Sequence, residues 1–379
     1  MIMQTANNQS PERQQRVKRM RIADCGLRIA ALLSCATMTL CSCQQPRGEL
    51  FPVIDPPLVW PRNPETPRMR LVGSISNSTD LKSGRSGAEA WGAALRGPRP
   101  PIRFSGPHAV AWHPADLLAV ADSSGGAVHI IDLQERTHVV SYGSEQQRFA
   151  APVGVAWADD QLFVSDAQLH QIIQLDKTGR VVRRFGETEL LRPVGITYVP
   201  QRQELYVVDG SAHVIVVFDR SGRPVRTIGG RGTEPGEFNY PTHIAFDGAS
   251  RLAVADTGNF RVQVLDLEGK SQRILGRKGD AAGDFALPKG VAFDSQGHLY
   301  VVDAQFENFQ IFDDAGRLLL AVGREGSAPG QFALPAGLTI DAHDRVWVAD
   351  AANRRVQVFQ YLKEEPSPQL SALSRRMEK

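Results

Sequence analysis

LAVADTGNFRVQVLD, residues 252–266, decides the fold, because residues 346–359 repeat its pattern as VWVADAANRRVQVF. In each copy a short apolar run ends in aspartate (Asp256, Asp350), a four-residue turn follows, and a second alternating run starts at an arginine. Such short β-rich runs between turn residues mark strands, not helices. The run-plus-aspartate element also ends at Asp122 (LLAVAD), Asp166 (LFVSD), Asp209 (LYVVD) and Asp303 (LYVVD). The spacings from Asp122 to Asp350 are 44, 43, 47, 47 and 47 residues, a period that defines repeat architecture.

Each unit reads as four strands. Strand one follows a proline, as in PVGVAWA (from Pro152), PVGITYV (from Pro193), PKGVAFD (from Pro288) and PAGLTID (from Pro335). Strand two ends at the aspartate. Strand three is VHIID, IIQLD, VIVVFD, RVQVLD, FQIFD or RVQVF, and strand four is clearest in VVRRFG, VRTIG, RILG and LLAVG. Three loops between units, GGRGTEPGEF, GRKGDAAGDF and GREGSAPGQF, share glycines that predict positive φ. A four-stranded unit of this length is a propeller blade, so the expected class is all-β, a six-bladed β-propeller.

The tracts Asp256–Val264 and Asp350–Val358, with the glycine loops before them, resemble the NHL-repeat family. The likeness is close over residues 229–359 and looser over the first three blades, while no paired Gly-His and Trp-Asp signature of WD40 blades recurs. The sixth copy stops near Tyr361 after strand three. Residues 68–74, containing MRLVGS, match a strand four and are expected to close that blade, so that the propeller spans 68–361 with a polar tail over 362–379. Residues 75–103, with Trp91 and a Pro-Arg-Pro-Pro run, then form a long insertion and a candidate contact.

Upstream the composition changes. Basic residues precede a twelve-residue apolar run, Ile29–Leu40, which is too short to span a bilayer and suits a signal peptide. Leu40-Cys41-Ser42-Cys43 resembles a bacterial lipoprotein box, which implies cleavage after residue 42 and lipidation at Cys43. Cys35 fits such a box loosely, and the polar first nineteen residues make Met20 a candidate start. Gln44 after the acylated cysteine implies sorting to the outer membrane of a two-membrane bacterium. Seven prolines between Pro46 and Pro67 predict a stiff tether over 43–67.

All four cysteines lie in the first 43 residues, so the propeller offers no thiol chemistry. Without residues 1–42 the chain carries 37 basic and 39 acidic side chains, a net of −2 that gives no general attraction to nucleic acid. The aspartates 122, 166, 209, 256, 303 and 350 recur in every blade, and a carboxylate at a turn accepts backbone N–H groups, so their expected role is structural. The NHL-type peptidyl-hydroxyglycine lyase holds zinc with histidines that follow the strand-one proline. Here that position holds His108, Val153, Val194, Thr242, Lys289 and Ala336, with His243 one place on. One match and one near match predict no metal and no cofactor.

His108, Thr242, His243 and Lys289 are therefore expected as channel-rim binding residues. The other histidines (113, 129, 138, 170, 213, 298, 343) are expected at the surface or in turns. No catalytic residue is assigned, since nucleophile-elbow, phosphate-loop and haem-attachment patterns are missing. The expected function is that of a lipid-anchored, extracytoplasmic scaffold that binds an envelope or extracellular protein. General likeness to NHL lipoproteins of cytochrome-exporting bacteria implies a multihaem cytochrome as one such partner. The alternative is a metal-dependent lyase or lactonase.

Overall fold

Each strand two is buried along nearly its whole length, so its side chains must be divided between two neighbours. In the sixth blade Val346 and Val348 face the core shared with the fifth blade, while Trp347 and Ala349 face the core shared with the first. Period-two alternation thus builds six cores, one between each pair of adjacent blades. The computed structural model describes residues 49–62, 64–81 and 100–362. The expected signal peptide, Cys43, Trp91 and the tail beyond Leu362 lie outside the described residues.

Within them the protein is a six-bladed β-propeller of antiparallel, four-stranded blades. The innermost strands are Pro107–His113, Pro152–Ala158, Pro193–Val199, Pro241–Phe246, Pro288–Phe293 and Pro335–Ile340. Each packs beside that of the next blade, and the sixth returns to the first. Met69–Ile75 supplies strand four of the sixth blade by pairing antiparallel with Arg355–Tyr361. The two ends of the ring are joined by this N-terminal strand.

Two features differ from expectation. The sixth blade has a fifth strand, Val59–Trp60, which pairs with Met69 and Arg70 and covers an otherwise open outer edge. The proline-rich stretch is also not a free tether from Leu50 onward. Phe51 is buried against Trp347, and Leu58 and Trp60 pack on the core between blades five and six, because these apolar side chains have a hydrophobic groove to fill.

The interblade glycines separate into two kinds. Gly229, Gly276 and Gly323 have φ of 84°, 76° and 100°, and a Cβ there would strike the rings of Phe238, Phe285 and Phe332. The middle glycines Gly232 and Gly279 lack the expected positive φ, and are small because Glu237 and Asp284 occupy the space of a side chain.

Met69 is fully buried in the closing strand. Met69→Ala should cost about 2–5 kcal/mol, the usual range for such a cavity. Urea unfolding should show this as a lower midpoint.

Candidate functional site

The six repeat aspartates are at most 1% exposed, and such buried carboxylates need several donors. Asp166 accepts the N–H groups of Ala150 and Ala151, which lead into strand one, and of Gln168 and Leu169 in the turn beyond it, at 2.8–3.1 Å. Asp209 binds Leu191, Arg192, Ser211 and Ala212 in the same way, and Asp303 binds Ala286, Leu287, Gln305 and Phe306. One carboxylate thus ties together the two loops on the face where strand one begins.

In blades four and six the signature side chains join in. Arg261 Nε donates to Asp256 at 2.7 Å, while its other nitrogens donate to the carbonyls of Thr233, Glu234 and Glu237. Arg355 does the same between Asp350 and the carbonyls of Ser327, Ala328 and Gln331. Gln263 and Gln357 complete these sets.

In the first blade His129 occupies the register of that glutamine, with Nε2 3.4 Å from Asp122 and Nδ1 2.8 Å from His138 Nε2. Burial pushes the Asp122 carboxyl up, but His129 and the amides of Ser105, Gly125 and Gly106 hold it below its usual range. Burial, then His129, pushes His138 down to about 3. His129 and His113 are buried strand residues, not surface or turn residues, since one completes the aspartate network and the other bonds the Asp159 carbonyl of the next blade.

Four residues after each aspartate the backbone is left-handed, with φ between 54° and 60°, at His170, His213, Phe260, Glu307 and Arg354, and 55° at Gly126. Unlike side chains therefore leave the same corner. Several hold a residue one or two places before the next blade's strand one. His170 Nδ1 donates to the Leu191 carbonyl at 2.5 Å, His213 Nδ1 accepts the Tyr240 N–H at 3.0 Å, and Glu307 accepts that of Leu334 at 2.7 Å. Leu191, Tyr240 and Leu334 are themselves 62%, 51% and 55% exposed, forming an apolar contribution to this face.

The channel begins at its centre. At the third residue of strand one, Gly154, Gly195, Gly290 and Gly337 let neighbouring strands approach so closely that a Cβ would lie 2.2–2.8 Å from the next blade's backbone. The fourth blade has His243 at this place, and the first has Ala109. His243 reaches across the ring to stack on His108, with centroids 5.6 Å apart and planes 17° apart.

His108 Nδ1 donates to the Val153 carbonyl at 2.8 Å, whereas neither ring nitrogen of the buried His243 has a partner. Burial, with Lys289 adding repulsion, pushes His108 down to about 4, and burial with His108 and Lys289 holds His243 well below its ordinary value. Burial also lowers Lys289, against the opposing field of Glu307. The structure thus groups three of the four rim candidates. Thr242 is engaged elsewhere, with its hydroxyl 2.7 Å from that of Thr257.

Beyond His243 runs a cavity of about 230 Å³. Its walls are the free edges of the six inner strands, and at the sixth strand residue they turn aromatic at Trp112, Trp157, Tyr198, Phe246 and Phe293, with Ile340 in the last blade. Sequence reasoning missed this collar, although its signal lies four places after His108 in the same register.

The NHL-repeat family model matches residues 285–312 and 332–359, and a family described as 6-bladed beta-propeller matches 191–275. The chain folds as a six-bladed β-propeller and carries NHL repeats in its fifth and sixth blades. Among solved structures it is similar to Kuenenia stuttgartiensis hydrazine synthase, with 13% identity over 71% of this chain and 99% of that one, at a TM-score of 0.51. It is also similar to a catalytically inactive Staphylococcus aureus virginiamycin B lyase crystallised with quinupristin, at 12%, 68%, 95% and 0.51 respectively. An auxiliary nutrient binding protein from Bacteroides thetaiotaomicron gives 16%, 69%, 70% and 0.53. At these identities the likeness is one of fold. No curated protein matches the sequence.

The depressed histidines fix the sign of a pH effect. From pH 6.5 down to about 4 the unfolded chain protonates His108 while the folded one does not, so folding stability falls as pH drops through that window. His243→Gly, the residue of four other blades, should make this fall shallower by up to one proton, about 1.4 kcal/mol per pH unit. Urea midpoints from pH 7 to 5 measure the difference.

Proposed function

We propose that this protein is an exported, lipid-anchored binding module of the cell envelope, whose aspartate-framed face docks an envelope or extracellular protein. The reading is carried by one observation. A left-handed backbone corner that recurs in each blade presents five residue types, Gly, His, Phe, Glu and Arg, beside three exposed apolar side chains. Rigid scaffolds that vary only what their loops display are suited to recognition. Cys43 is the proposed acylated residue, the outer membrane the proposed location, and an exported multihaem cytochrome one candidate partner.

A second reading, a metal-dependent lyase or lactonase, is favoured by the meeting of His108 and His243 and by the fold shared with the virginiamycin B lyase. Among the described residues, however, no group of three or more His, Cys, Asp or Glu side chains is placed to hold a metal ion.

The test is affinity capture of the tagged, lipidated protein from membranes after mild crosslinking, with mass spectrometry and metal analysis of one eluate. The expected outcome is a near-stoichiometric envelope protein. Replacing Leu191, Tyr240 and Leu334 with Asp should reduce its yield at least tenfold, as loss of apolar anchors does. About one equivalent of zinc or calcium without a partner would overturn the proposal. Cys43→Ser should move the protein from the membrane fraction to the soluble one.

A further inference from the structure

The channel mouth gathers basic groups from four blades. His108 comes from the first, His243 from the fourth and Lys289 from the fifth, while Arg192, just before strand one of the third, adds its field at His108. The acidic group facing them is Glu307, whose carboxylate is already committed to the Leu334 N–H. Lys289 is half-buried and has no ion-pair partner within 4 Å among the described residues. His243 is the more telling residue. It is 9% exposed, stands where four blades have glycine, and leaves both ring nitrogens buried without a hydrogen-bond partner.

Buried donors beside an unpaired ammonium form a site for negative charge, because an anion would satisfy the imidazole and neutralise the cation in one step. The glycine-lined approach of neighbouring strands leaves little room, so the ligand must be compact. We propose that the channel mouth is an oxyanion site, in which a carboxylate or a phosphate group is held between Lys289 and the stacked His108 and His243.

An imidazole that is neutral in the empty site takes up a proton as the anion enters, so affinity rises as pH falls. His108 already donates its Nδ1 proton to Val153, so its added proton goes to Nε2, and His243 can accept one on either ring nitrogen. Lys289 and Arg192 favour the anion throughout this range, while Glu307 opposes it. The site needs no protein partner, so its failure would leave the docking proposal intact.

The experiment titrates sodium acetate and sodium phosphate separately into the purified full chain, at constant ionic strength and at pH 6 and 8. It follows the imidazole nitrogen resonances of His108 and His243. The expected result is saturable movement toward the imidazolium position, with tighter binding at pH 6. Lys289→Val, the residue at that register in blades two and three, should weaken binding about tenfold, and His243→Gly should remove the His243 share of the proton uptake, leaving that of His108. Acetate acting alone identifies a carboxylate site, and stronger action of phosphate identifies a phosphate-group site. No movement with either anion up to about 100 mM, far above the millimolar range of weak sites, would overturn the inference. So would affinity unchanged in both variants.

Discussion

The carboxylate that closes each strand two is the interaction on which the other features depend. Buried and charged, it is stable only if several donors converge on it, and the chain supplies backbone N–H groups from two loops that are distant in sequence. Those bonds fix the turn after the aspartate and also the path of the chain into strand one. In blades one, two, three and five the donors in the turn are backbone amides, so the turn residues are free to vary. This explains how Gly126, His170, His213 and Glu307 come to share a left-handed corner.

Where the frame needs reinforcement the donors are side chains. Arg261 and Arg355 each bond one aspartate and three loop carbonyls, which accounts physically for the N-x-R-V-Q-V pattern in blades four and six. The first blade solves the same problem with His129 and adds His138 behind it. Ring closure is a separate constraint. Met69–Ile75 pairs with the last strand, and Val59–Trp60 then shields the edge this creates.

Strands, aspartates and the closing strand were legible in the sequence because period-two burial and a spacing of 43 to 47 residues survive in every copy. Val59–Trp60 was not, since a two-residue strand in a proline-rich stretch carries no periodicity. Nor was the packing of Phe51, which depends on a groove formed by distant blades. His108 and His243 were singled out by their register, yet their stacking needs the ring geometry that sets blade one opposite blade four. The aromatic collar was hidden for a different reason. Each member alone reads as an ordinary strand residue, and only six aligned copies show a wall.

The central claim is that the aspartates hold the displayed face rigid, and amide hydrogen exchange tests it most directly. The account predicts that the amides of Gly106, Ala150, Leu191, Asn239, Ala286 and Ala333, all bonded to repeat aspartates, exchange as slowly as those within strand two, although they sit in loops. Exchange of these amides at the rate of ordinary surface loops would contradict it.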